Sequence, residues 1–126
     1  MMTVNEKAMI LVVDDDPIVL QSCRMVLEGE GYGVVLASSV DEALEILPGR
    51  SFRAILVDLK MPRRDGMHLV ERVLKERPDL PIVMMTGFST PETIREGYRK
   101  GASVLLPKPF TPDELLGALA KALNKK

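Results

Sequence analysis

Five short aliphatic runs, each separated from the next by a stretch of helical periodicity, constrain this chain more than any other feature. They occupy residues 9–13, 34–37, 54–57, 82–85 and 104–106. Each is short and continuous rather than alternating, the pattern of a strand covered on both faces of a parallel sheet. Between and after them, apolar residues recur at helical steps. Val40, Ala43, Leu44 and Leu47 form one stripe, Met67, Val70, Val73 and Leu74 a second, and Leu115, Leu116, Leu119 and Leu123 a third. Strict alternation of the two patterns predicts an α/β fold of five β–α units, with a parallel sheet, helices on both faces and right-handed crossovers.

Helix ends are written locally. Asp16 before Pro17 and Thr90 before Pro91 read as helix starts, with proline at the first helical position. Ser39 with Glu42, and Thr111 with Glu114, have the spacing of capping boxes. Gly29, Gly31, Gly49 and Gly101 stand where helices should stop. Connections are short, and no repeat, linker or low-complexity segment appears. A length of 126 residues with 46% hydrophobic content supports one domain over residues 1–126, with its core at about 8–123.

Charge and cysteine usage exclude several classes. The net charge is −1, which points to neither nucleic acid nor an anionic membrane as a partner. Acidic groups prevail in residues 1–50 (net −6) and basic groups in residues 51–126 (net +5). The single cysteine, Cys23, precludes an internal disulfide and suits a reducing compartment. It sits at helical spacing with Leu20 and Leu27 and reads as packing. No signal-peptide pattern opens the chain, and no apolar stretch approaches the roughly 18 residues of a membrane span. A cytoplasmic protein is expected.

In a parallel α/β sheet, chemistry collects beyond the carboxyl ends of the strands. Asp14, Asp15 and Asp16 follow the first run, Asp58 the third, Thr86 and Gly87 the fourth, and Lys108 and Pro109 the fifth. One cap suffices for a helix, so Asp16 reads as the cap, which leaves Asp14 and Asp15 unexplained. Asp58 has no helical stripe behind it until Met67. Asp14, Asp15 and Asp58 would crowd three negative charges into one crevice. Two unit charges about 4 Å apart repel by about 4 kcal/mol at an effective dielectric near 20. One lysine does not offset that; a hard divalent cation does, and all-oxygen ligands suit Mg²⁺ or Mn²⁺. A carboxylate is a competent nucleophile toward phosphorus. Lys108 offers a point charge, Thr86 a hydroxyl donor and Gly87 a close backbone approach.

These residues carry a family resemblance. The stretches Ile10-Leu11-Val12-Val13-Asp14-Asp15-Asp16, Val57-Asp58-Leu59-Lys60-Met61-Pro62, Asp65-Gly66-Met67, Val83-Met84-Met85-Thr86-Gly87, Gly101-Ala102 and Leu106-Pro107-Lys108-Pro109-Phe110 resemble, in order and separation, the receiver domain of bacterial two-component response regulators. The resemblance implies a (βα)₅ flavodoxin-like sheet of order 2-1-3-4-5. It implies that Asp58 takes a phosphoryl group from the phosphohistidine of a sensor histidine kinase or phosphotransfer protein. Asp14, Asp15, Asp58 and the Lys60 carbonyl would hold Mg²⁺, Asp15 directly and Asp14 mostly through water. Lys108, Thr86 and the backbone of Leu59 and Gly87 would meet the phosphoryl group. Asp65 and Gly66 would shape the turn into the third helix. It further implies a cis Lys108–Pro109 bond, and a signalling face built from the fourth helix, fifth strand and fifth helix, through which an output partner or a second copy would dock. Neither direct nucleic-acid binding nor a membrane is implied. Nothing after Lys126 could bind DNA or turn over a substrate, so the domain either signals by docking or belongs to a longer protein.

One position departs from the family pattern. Leu105 stands where an aromatic ring usually accompanies the shift of Thr86, so displacement of the loop at residues 87–91 is expected to carry the response instead. Lys60 and Phe88 flank the expected water approach to the phosphoryl group, and slow self-dephosphorylation is expected. His68 reads as a solvated surface residue. Of the eight methionines, Met61 reads as loop packing and the rest as core. Arg95, Arg99 and Lys100 form a charged face that is either simply solvated or a partner site. Two rival readings fit the residues less well. A haloacid-dehalogenase-type phosphatase would use Asp14 as nucleophile, but leaves Asp58 to Gly66 unexplained. A phosphorylation-independent receiver-like module would normally have lost an acidic residue, Thr86 or Lys108, and none is lost.

Overall fold

The computed structural model describes residues 8–61, 66–87 and 90–124. The elements run β1 (Met9–Val13), α1 (Pro17–Gly29), β2 (Gly33–Ala37), α2 (Val40–Ile46), β3 (Ala54–Asp58), α3 (Gly66–Glu76), β4 (Ile82–Thr86), α4 (Pro91–Arg99), β5 (Val104–Pro107) and α5 (Pro112–Asn124). All strand pairs are parallel, and the sheet order is β2-β1-β3-β4-β5. This is the flavodoxin-like α/β fold.

Period-two alternation divides each strand between two cores. Ile10, Val12, Ala54, Leu56, Val83, Met85, Val104 and Leu106 point to the side covered by α1 and α5, where they meet Leu20, Cys23, Leu27, Leu115 and Leu119. Leu11, Val13, Ile55, Val57, Ile82 and Met84 point to the other side, against Val40, Ala43, Leu69, Val70 and Val73 of α2 and α3. Each fully buried aliphatic side chain of this kind contributes about 1.5–3 kcal/mol. Burial on both faces holds for β1, β3 and β4. It does not hold for β2, which is half-buried until Ala37, or for β5, where Leu105 is half-buried and Pro107 exposed. Those two strands are the sheet edges, where a covering helix reaches less of the strand.

Local signals act largely as expected. The Asp16 carboxylate accepts the Ile18 N–H at 2.9 Å and caps α1. Thr90 accepts the Thr93 N–H and caps α4. Thr111 and Glu114 exchange two bonds, Thr111 N–H to Glu114 Oε1 at 2.8 Å and Glu114 N–H to Thr111 Oγ1 at 3.1 Å. At α2, Ser39 accepts the Glu42 N–H, but Glu42 reaches back one residue further than expected, to the Ser38 N–H and hydroxyl. Gly101 ends α4 at φ +118°, which L side chains rarely adopt. The Arg77 guanidinium, at the end of α3, donates to the carbonyls of Arg50 and Leu47 and ties α3 to the end of α2. His68 is half-buried rather than fully solvated, in the same turn of α3 that buries Gly66, Leu69 and Val70. Met61 packs against the α2–α3 core. Asp65 and Phe88 lie outside the described residues. No described helix is long and apolar enough to cross a membrane.

Candidate functional site

Register places the site. Asp58 is the last residue of β3 and pairs with Met85, so Thr86 ends β4 one residue beyond it. Val13 pairs with Val57, so Asp14 leaves β1 beside Asp58. Thr86 pairs with Pro107, which sets Lys108 at the same edge. Among the described residues, Asp14, Asp58 and Thr86 are the buried polar ones, while Asp15 is exposed.

One carboxylate oxygen from each of Asp14, Asp15 and Asp58 lies within 4.8 Å of the others. Lys108 Nζ stands 2.7 Å from Asp14 Oδ2 and 3.2 Å from Asp58 Oδ2. The second oxygens face backbone amides: Asp14 Oδ1 accepts the Asp16 N–H at 2.9 Å, and Asp58 Oδ1 accepts the Lys60 N–H at 3.1 Å. The Lys108 N–H donates to the Thr86 carbonyl at 2.7 Å, joining the ends of β4 and β5. The Lys108–Pro109 bond is cis, as the resemblance implied. Beside Lys108, an apolar hollow of about 380 Å³ is lined by Ile18, Val19, Ser22, Pro109 and Phe110. A larger hollow of about 490 Å³, around Phe52, Arg77 and Leu80, lies where β3 and β4 begin, and among the described residues no carboxylate cluster gathers there.

Electrostatics follow from this crowding. Burial pushes the Asp14 carboxyl above its ordinary value. The Lys108 hydrogen bond and the Asp16 amide oppose that rise, and the Asp58 charge adds to it. For Lys108, burial alone would lower the ammonium's pKa; the hydrogen bond and charge of Asp14, with the charge of Asp58, outweigh it and raise the pKa. One cation against three carboxylates leaves the crevice negative. All-oxygen donors, two of them buried and one open to water, fit a small hard cation that keeps part of its hydration, such as Mg²⁺.

One sequence expectation does not fit this geometry. The Leu59 N–H is taken by the Met85 carbonyl at 3.1 Å, and the Leu59 carbonyl accepts the Gly66 N–H at 2.9 Å. The amide that faces the Asp58 carboxylate belongs to Lys60. Sequence reading also missed how tightly Gly66 packs: a Cβ built on it would overlap the Asp58 carbonyl oxygen and lie 2.8 Å from Val57 Cγ1. Lys108 favouring Asp14 over Asp58 had no sequence signal at all.

The model of the response regulator receiver domain matches residues 10–120. The chain belongs to that family. It is 34% identical over 119 residues to the transcriptional regulatory protein FixJ of Bradyrhizobium diazoefficiens, covering 94% of this chain and 58% of that protein. It is 38% identical over 116 residues to the response regulator MprA of Mycobacterium ulcerans, covering 92% of this chain and 50% of that one. The receiver chain thus spans between half and three-fifths of these relatives' length. Among solved structures, the chemotaxis protein CheY4 of Vibrio cholerae matches with a TM-score of 0.88 and 34% identity, covering 94% of this chain and all of that one. The chain is therefore a phosphorelay signal receiver, in a family that works with histidine kinases, and not a conventional enzyme. The carboxylate crevice of Asp14, Asp15 and Asp58 is its acidic pocket.

Proposed function

We propose that Asp58 is the phosphoacceptor of this receiver. The observation that carries the reading is the Asp58 carboxylate held between a lysine ammonium at 3.2 Å and two further carboxylates at the strand ends. An Asp58 oxygen forms a bond to phosphorus while the phosphorus–nitrogen bond of a phosphohistidine breaks, and the released imidazole takes up a proton. Asp14, Asp15, Asp58 and the Lys60 carbonyl would hold Mg²⁺, which when bound offsets the repulsion between the carboxylates and the incoming dianion. Lys108 exchanges a carboxylate for phosphoryl oxygens. The amides of Lys60 and Gly87 and the Thr86 hydroxyl supply neutral donors. The donor protein, a sensor histidine kinase or phosphotransfer protein, approaches across the apolar hollow, where Ile18 is 75% exposed. Output passes through α4, β5 and α5 to a partner or to further chain of a longer regulator.

The rival use of Asp14 as nucleophile fits poorly, since its side chain is wholly buried and held by Lys108 at 2.7 Å, whereas the Asp58 side chain keeps some exposure and a longer Lys108 contact of 3.2 Å. The test is intact-mass measurement after incubation with acetyl phosphate and Mg²⁺. One phosphoryl group should be gained, and Asp58→Asn should gain none. Labelling that survives in Asp58→Asn but is lost in Asp14→Asn would reverse the assignment.

A further inference from the structure

Helix α4 is held on the sheet differently from its neighbours. α1 buries Leu20, Cys23 and Leu27, α3 buries Leu69, Val70 and Val73 beside Gly66, and α5 buries Leu115, Ala118, Leu119 and Ala122. α4 buries one residue, and it is a glycine, Gly97. What covers it is Leu105: a Cβ on Gly97 would stand 2.8 Å from Leu105 Cδ2 and 3.2 Å from Cδ1, so both methyl groups lie against the helix backbone. Pro91, Glu92, Thr93, Arg95, Tyr98 and Arg99 are exposed, and Ile94 is only half-buried. An element with so little buried apolar area sits at the low end of local stability.

Leu105 is also tied to the site. It pairs with Met84, two residues before Thr86, and three residues further on the Lys108 N–H is bonded to the Thr86 carbonyl. A shift at the end of β4 therefore reaches Leu105 through two paired strands. We infer that the Leu105 side chain seated on Gly97 is the contact that fixes α4 in its resting position, and that phosphorylation is read out by loosening this one contact. The second half rests on Asp58 as phosphoacceptor; the first does not. No ring is needed. A leucine on a glycine gives a seat whose strength depends on how closely β5 and α4 approach, so a small strand displacement changes it steeply.

Coupling of this kind is reciprocal: whatever loosens α4 also favours the phosphorylated arrangement. The experiment uses the whole chain. Amide hydrogen exchange is followed element by element for wild type, Leu105→Ala and the milder Leu105→Val, which stands in should the alanine variant fail to fold. Exchange in α4 is expected to rise by about tenfold or more in Leu105→Ala and less in Leu105→Val, with α1, α3 and α5 within about twofold of wild type. An equal rise in every helix, or none in α4, overturns the inference, because Leu105 would then be ordinary core or no anchor. In parallel, phosphorylation by acetyl phosphate should be about threefold faster in Leu105→Ala. A loosened α4 with an unchanged rate overturns the signalling half. If wild type itself gains no phosphoryl group, the phosphoacceptor assignment fails, while the exchange result still decides what holds α4.

Discussion

Gly66 lies so close beneath Asp58 that there is no room for even a methyl group between its Cα and the Asp58 carbonyl oxygen. The first turn of α3 is thereby seated on the backbone of the residue proposed to carry the phosphoryl group, and the Gly66 N–H bonded to the Leu59 carbonyl locks that seat.

Gly66→Ala tests this seating. Alanine favours a helix over glycine by about 1 kcal/mol, but the overlap is with backbone, which cannot rotate away, and overpacking of this kind costs about 1–3 kcal/mol or more. The variant should be less stable by about 2 kcal/mol and accept phosphoryl groups more slowly, since Asp58 must move with its carbonyl. Urea unfolding should show a lower midpoint at unchanged slope. An unchanged midpoint would mean that α3 shifts freely and that the seat is unimportant.

Asp14 is expected to cost the fold stability. Its carboxyl is buried, faces Asp15 and Asp58, and is held above the ordinary value chiefly by burial. A carboxyl whose pKa is higher folded than unfolded adds stability only while protonated, so ionisation removes that contribution as pH rises through its titration. Asp14→Asn keeps the acceptor for the Asp16 amide and removes the charge. With chelator present, it should melt about 3–6 °C higher than wild type, equivalent to about 1 kcal/mol. The gain in melting temperature that Mg²⁺ gives wild type should shrink or vanish in the variant. A lower melting temperature in chelator would show that the Lys108–Asp14 pair outweighs the crowding.

Much of this was readable along the chain, and the exceptions share a cause. All five strands were marked by aliphatic runs, yet Gly33, Asp58, Thr86 and Pro107 extend four of them by a residue that no hydrophobic pattern would include. They keep strand geometry because the parallel ladder continues past the apolar core, and three of them belong to the very edge where the chemistry gathers. Residue types at strand ends revealed the carboxylates, Thr86 and Lys108, because a parallel sheet brings all its carboxyl ends to one side. Which amide turns toward Asp58 was not readable: it depends on the Leu59 N–H pairing with Met85, a long-range bond that leaves the next amide for the carboxylate. Arg77 is a similar case, a surface arginine in sequence whose partners, Leu47 and Arg50, lie 30 and 27 residues away.

Cys23 should be silent as a nucleophile in the folded protein. Burial, with the nearby Asp14 charge, pushes its thiol from 9.0 to about 11. The raised pKa adds stability below the unfolded thiol's titration near 9 and loses it as pH rises through about 11. Iodoacetamide at pH 8 should therefore label Cys23 only at the rate of unfolding. Between about pH 9 and about pH 11, wild type should lose about 2–3 kcal/mol more unfolding free energy than Cys23→Ala. Parallel pH profiles for the two proteins would show that the thiol titrates no differently in the fold.

The last expectation concerns how long the phosphoryl group stays on Asp58. Loss by hydrolysis requires water in line with the breaking bond, opposite the Asp58 oxygen, and correct placement of such a nucleophile is worth orders of magnitude in rate. Lys60 stands at the rim of this approach, with its N–H on Asp58 Oδ1 and its side chain exposed. An ammonium has donors and no acceptor, so it cannot take a proton from attacking water, and its charge draws it toward phosphoryl oxygens that water would otherwise reach. Phe88, two residues past Thr86 in the sequence, is apolar and has no group to orient water. Slow self-dephosphorylation follows. Lys60→Asn with Phe88→Glu introduces an amide and an acid able to hold and activate water, and should shorten the phosphoprotein half-life about tenfold or more. The measurement is decay of the purified phosphoprotein by intact mass, with excess Mg²⁺ and no donor. Equal half-lives would show that water reaches phosphorus by a path these two side chains do not control.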